Sequence, residues 1–134
     1  MALGGASTHL AILTLSRLRG RPMLGRLTRI YSVTAAALLL ATVTLGLVIY
    51  PAYKVHVVAP YFWDHAKWAA ALFDVKEALG LFALPLGLGL FVMGRRMDPD
   101  KPAHLVFAVC AFGLFLITAF CIVAGLVIVA EKGV

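Results

Sequence analysis

From Leu105 to Ala130 the chain runs for about 26 residues without a charged side chain, more than the ~20 a helix needs to cross a bilayer. Tyr31 to Tyr50 is a second uncharged run of about 20 residues, the length of a span. A third apolar stretch, Ala78 to Met93, is only about 16 residues long and reaches spanning length when its flanks are included. Three transmembrane helices are therefore predicted, over residues 31–50, 66–94 and 104–130. Together they make one all-α membrane domain covering residues 1–134.

Composition agrees. Hydrophobic residues make up 63% of the chain and charged residues 13%, with a mean hydropathy of +0.99. Soluble domains stand nearer half apolar and a quarter charged. A soluble chain of 134 residues would have no interior large enough to hide so much apolar surface. The bilayer is its natural solvent.

The net charge of +6 is unevenly placed. Arg17, Arg19, Arg21, Arg26 and Arg29 precede the first long run, and Arg95, Arg96 and Lys101 lie between the second and third. This is the pattern of cytoplasmic segments. It predicts a multi-pass protein of a bacterial inner (cytoplasmic) membrane, with residues 17–29 and 95–103 inside. Residues 51–65 and the C-terminus then face the periplasm. No base-reading polar or aromatic set accompanies the arginines, so nucleic acid is not an expected partner.

Residues 1–16 reach roughly 24 Å as a helix, short of the ~30 Å core. Their basic residues follow the apolar part, the reverse of a signal peptide. Either a short interfacial or half-inserted helix or a fourth span is expected. The segment 17–29, broken by Gly20, Pro22 and Gly25, reads as a basic loop. In the first span Ala37/Ala41 and Thr42/Gly46 have the small-xxx-small spacing that lets a neighbouring helix approach. Tyr50-Pro51 is predicted to end that helix at the boundary. Pro85, with Gly80, Gly87 and Gly89 near it, predicts a kink in the next span.

The outer loop, residues 51–65, is bordered by Tyr53, Tyr61, Phe62, Trp63 and Trp68, which read as an interfacial aromatic belt. Beside it, Asp74, Lys76 and Glu77 enter an otherwise apolar helix. Asp74 and Glu77 are three residues apart and share a face. Carboxylates within a membrane segment are costly and point to function. With Lys54, Tyr50 and Tyr53 as partners, they form a candidate functional or interface cluster. A structural role, fixing helix packing or meeting a neighbouring protein, outweighs a proton, cation or quinone-headgroup site, because structural ion pairs also occur in such places.

The remaining chemistry is sparse. His56 and His65 are weak metal candidates whose spacing, with Asp64, matches no standard ligand motif. A b-type haem wants histidines facing each other inside the bilayer, whereas only His9 lies within an apolar segment and His104 caps a helix end. Cys110 and Cys121 are separated by about 16 Å of helix rise, too far for a disulfide. No triad, P-loop or zinc-protease motif is present, so neither catalysis nor a cofactor is expected. A bound lipid, quinone or pigment is compatible with the chain, since such sites are built from ordinary apolar side chains.

The block YPAYK at residues 50–54, followed by LFDVKE at residues 72–77, resembles a pattern of small bacterial multi-pass membrane proteins that carry no assigned activity. The resemblance covers roughly residues 30–95 and picks out Tyr50, Pro51, Tyr53, Lys54, Asp74, Lys76 and Glu77. In size the chain also resembles the membrane anchors of succinate dehydrogenase, but it lacks their in-membrane histidines in the three spans. The expected function is a non-catalytic accessory subunit of a larger membrane complex, with respiratory or photosynthetic assemblies as the setting. The expected partners are other membrane subunits and the bilayer. The alternatives are a small proton- or ion-coupled transporter using Asp74 and Glu77, and a haem- or quinone-binding redox subunit.

Overall fold

A computed structural model describes residues 1–19, 25–56, 67–96 and 105–132. They form four helices and, among the described residues, no strand: α1 (Ala2–Leu18), α2 (Gly25–Tyr53), α3 (Lys67–Arg96) and α4 (Leu105–Lys132). Three are long and apolar enough to cross a membrane, over Arg26–His56, Lys67–Arg96 and Leu105–Ala130. The three predicted spans are present, the first lengthened at both ends and the other two within two residues of their predicted bounds. The all-α membrane architecture is the observed one.

Each helix packs on two neighbours, in the ring α1–α2–α3–α4–α1. Neighbours run antiparallel. Ser32 of α2 meets Gly94 near the end of α3, while Tyr50 and Tyr53 meet Phe73 near its start. Likewise Cys110 of α4 meets Gly89, and Gly125 meets Lys76. All described arginines therefore gather at one end, here the basic end, and Asp74, Lys76 and Glu77 stand toward the far end. Helix α1 has 17 residues, about 25 Å of rise, less than the hydrocarbon thickness. It is nonetheless built into the bundle along its length, with Ala6, Leu10 and Ala11 buried.

The centre of the ring sets large side chains against small ones. Leu10, Leu90, Phe107 and Leu114 are almost wholly buried beside Ala35, Ala83 and Ala111. Apolar burial itself gains little when the competing solvent is lipid, so close approach and dispersion must hold the helices together. Glycine supplies the approach. A Cβ on Gly94 would stand 2.6 Å from the Ser32 Cβ, and one on Gly87 would overlap the Leu39 side chain.

Three local expectations are corrected. Ala37, Ala41, Thr42 and Gly46 do not form the helix contact, since all four are exposed and nothing lies within 4 Å of Gly46. The contact face of α2 runs instead through Ser32, Ala35 and Leu39. Pro51 does not end α2, which continues to Tyr53 and then through a wider turn to His56. A proline this close to a helix end leaves one carbonyl unpaired where headgroups and water can reach it. The basic segment is not all loop. Arg17 lies in α1 and is buried, with Thr14, Thr28 and Ser32 also buried at this end, and α2 starts at Gly25. Helix α3 runs unbroken through Pro85.

Candidate functional site

The predicted cluster is assembled by the far ends of α2 and α3. Tyr50 and Tyr53 sit one turn apart on α2 and close on Phe73 of α3, at centroid distances of 6.4 and 5.2 Å and interplanar angles of 10° and 30°. Behind these rings Ala69 of α3 is fully buried with Ile128 of α4, forming a second, smaller core. The tyrosines therefore lock α2 to α3 rather than meeting the carboxylates. Lys54, one turn beyond Tyr50, donates to the Tyr50 hydroxyl oxygen at 2.8 Å, with its ammonium 5.2 Å from that ring.

Asp74 and Glu77 are exposed on the surface of α3, close enough to Lys54 for its charge to feel both. No ion pair within 4 Å joins Asp74, Lys76, Glu77 or Lys54 among the described residues. Lys76 is half-buried and turns to α4, where its ammonium would lie 3.5 Å from a Cβ on Gly125. The Cys121 thiol reaches back weakly to the Lys76 carbonyl, at 3.9 Å. Asp74 also borders an open depression of about 300 Å³ with Lys67, Ala70 and Ala71, on the stripe of α3 that leads to it. Lys54, Lys67, Asp74, Lys76 and Glu77 thus lie toward the far end of this helix pair, with Lys54 turned to Tyr50 and Lys76 to α4.

Depth follows from the helix. Asp74 to Arg95 is a rise of about 32 Å, close to the ~30 Å of the hydrocarbon core. A hydrocarbon layer that began at Arg95 and Arg96 would therefore end near Asp74, with Glu77 one turn inside it. The carboxylates lie outside the packed core formed by Leu39, Ala83, Leu90 and Leu114.

Of the other predicted residues, Trp68 is exposed at the start of α3, and His56 is exposed at the end of the turn after α2. Tyr61, Phe62, Trp63, Asp64, His65 and His104 lie outside the described residues. His9 stacks on Tyr31 at 5.4 Å and 11°, with Nδ1 donating to the Gly5 carbonyl at 3.0 Å. Among the described residues no three His, Cys, Asp or Glu side chains come together as a ligand set. Phe73 was missed in the sequence. No pattern in the sequence marks it, because its partners lie on another helix. Comparison with protein-family models, with characterised proteins and with solved structures gives no match.

Proposed function

We propose that this chain is a non-catalytic accessory subunit of a larger complex in a bacterial cytoplasmic membrane, docking through the far end of α2 and α3. The observation that carries this reading is the placement of Asp74 and Glu77. Both are exposed toward the far end of α3, neither is ion-paired among the described residues, and neither faces the interior. A carboxylate at that level stays costly until a partner or headgroup meets it. The far half of α2 supports the same reading. From Leu40 to Ile49 every residue but Val43 is exposed, giving a bare apolar helix beside the charged cluster. Such a surface offers a neighbouring subunit shape for packing and fixed charges for orientation.

A transport role would require a second copy to enclose the carboxylates, because the ring interior is filled with Leu, Phe and Ala side chains. The test is tagged purification in mild detergent, comparing the natural chain with Asp74→Asn/Glu77→Gln. A stoichiometric partner set that is lost in the variant, while the variant keeps its melting temperature, supports the subunit reading. A lone small oligomer in both cases, with proton or cation flux abolished by the variant, overturns it in favour of transport.

A further inference from the structure

We propose that the basic end of the α2/α3 pair is a binding site for an anionic phospholipid, with its phosphate held by Arg26, Arg29, Arg95 and Arg96. This inference is independent of the subunit role, since it concerns the opposite end of the bundle.

The close approach of Gly94 to Ser32 joins α2 to α3 at this end. It brings together the last two residues of α3, Arg95 and Arg96, and the first turn of α2, which holds Arg26 and leads to Arg29. All four arginines are exposed. The first turn of α2 contains no acidic residue. Cations there oppose the helix dipole, whose positive end lies at the N-terminus, so the arrangement is unfavourable by itself. An anion relieves both problems, because the positive end of that helix dipole and the guanidinium forks prefer the same ligand. Neither Asp74 nor Glu77 is near enough to supply it. Among the described residues, Arg19, Arg26, Arg29, Arg95 and Arg96 are exposed at this end, and no described acidic residue stands there.

The occupant is a lipid rather than a soluble anion because the site continues into apolar surface. Ile30 on α2, and Val92 and Leu88 on α3, are 48%, 41% and 64% exposed on the turns that lead from the arginines into the membrane. They give the acyl chains of a lipid bound at this end apolar side chains to pack on. Arg95 is already ordered, with its guanidinium 5.1 Å from the Phe91 ring, an arrangement that leaves the edge N–H donors free to turn to a phosphate.

The experiment uses the full chain in neutral detergent, titrated with phosphatidylglycerol or phosphatidylcholine of the same acyl chains. Lipid retained is counted by native mass spectrometry, and stabilisation is followed by thermal unfolding. Phosphatidylglycerol is expected to be retained in small whole numbers and to raise the melting temperature more than phosphatidylcholine. Each basic residue near an anionic surface contributes about fivefold in affinity (~1 kcal/mol), so R95Q/R96Q and R26Q/R29Q should each weaken binding roughly 25-fold. The fourfold Arg→Lys variant should fall between, keeping charge but losing the fork. Lys67→Gln, at the far end, should bind as the natural chain does. Equal stabilisation by the two lipids, or double variants that titrate like the natural chain, would overturn the proposal. So would inorganic phosphate that reproduces the effect without lipid. Because the four arginines are exposed, the variants should melt normally in detergent alone, which separates lost binding from lost folding.

Discussion

Replacing Gly94 by alanine tests what holds α2 to α3. Adding one methyl group at an ordinary helix position should help, since glycine costs a helix interior up to about 1 kcal/mol relative to alanine. At Gly94 the new Cβ would lie 2.6 Å from the Ser32 Cβ and 2.8 Å from its Oγ. Carbon atoms settle at about 3.5–4.0 Å, so relief needs roughly 1 Å of separation. The Ser32 Cβ is fixed to the backbone and fully buried, and its hydroxyl is donated to the Thr28 carbonyl at 2.8 Å. No side-chain rotation can make that room, and the helices must part. A gap of ~1 Å forfeits up to half of each lost dispersion contact, and inserted methylenes in packed cores cost about 1–3 kcal/mol. The expected net loss for Gly94→Ala is ~1–2 kcal/mol after the propensity gain. Thermal or denaturant unfolding in detergent measures it, with Gly80→Ala as control, because nothing lies within 4 Å of that position. Ser32→Gly should restore most of the loss in Gly94→Ala, whereas Ser32→Ala, which keeps Cβ, should not. A Gly94→Ala protein as stable as the Gly80→Ala control, or equal rescue by the two Ser32 variants, would refute the steric argument.

Two further outcomes follow from the far end. Phe73→Ala removes both tyrosine contacts, at about 0.5–1.5 kcal/mol for each aromatic pair, so unfolding should show a loss of ~1–3 kcal/mol that Phe73→Tyr largely avoids. At Gly125 a methyl group fits against Lys76 at an ordinary 3.5 Å, but a leucine would displace the ammonium. Acylation of Lys76 by an amine reagent should therefore be faster in Gly125→Leu than in Gly125→Ala or the natural chain.

The spans were legible in the sequence because length without charge is a property of residue type alone, as the uncharged runs 31–50 and 105–130 show. Which side of each span faces inward was not. In water an amphipathic stripe marks the buried face, but α4 is apolar all round, and Phe107 inside differs little in type from Phe120 outside. Small-residue spacing then misled at Ala37/Ala41. The decisive contacts pair a glycine on one helix with a larger side chain on the next, as Gly87 with Leu39, and no pattern within one helix records its neighbour. Charge normally ends a membrane helix, which puts Arg17 in a loop by sequence, whereas its burial here depends on what the adjoining helices present. The Asp74/Lys76/Glu77 cluster was found by its cost in an apolar segment, but the turn of Lys76 toward α4 needed the antiparallel register.

The hydroxyl groups have a consequence for motion. Ser7 and Thr8 both donate to the Gly4 carbonyl, Thr14 to Leu10, Ser16 to Ile12, Ser32 to Thr28, Thr42 to Leu38, Thr44 to Leu40 and Thr118 to Leu114, all on their own helices. A hydroxyl satisfied in this way has little to offer a neighbouring helix. These eight hydroxyls therefore donate no hydrogen bond across a helix pair, and register rests on shape, at the glycine notches (Ser32 itself walls one) and at the Tyr50/Tyr53 contact with Phe73. A bundle keyed by shape adjusts its packing to bilayer thickness with these hydroxyls still bonded to their own helices.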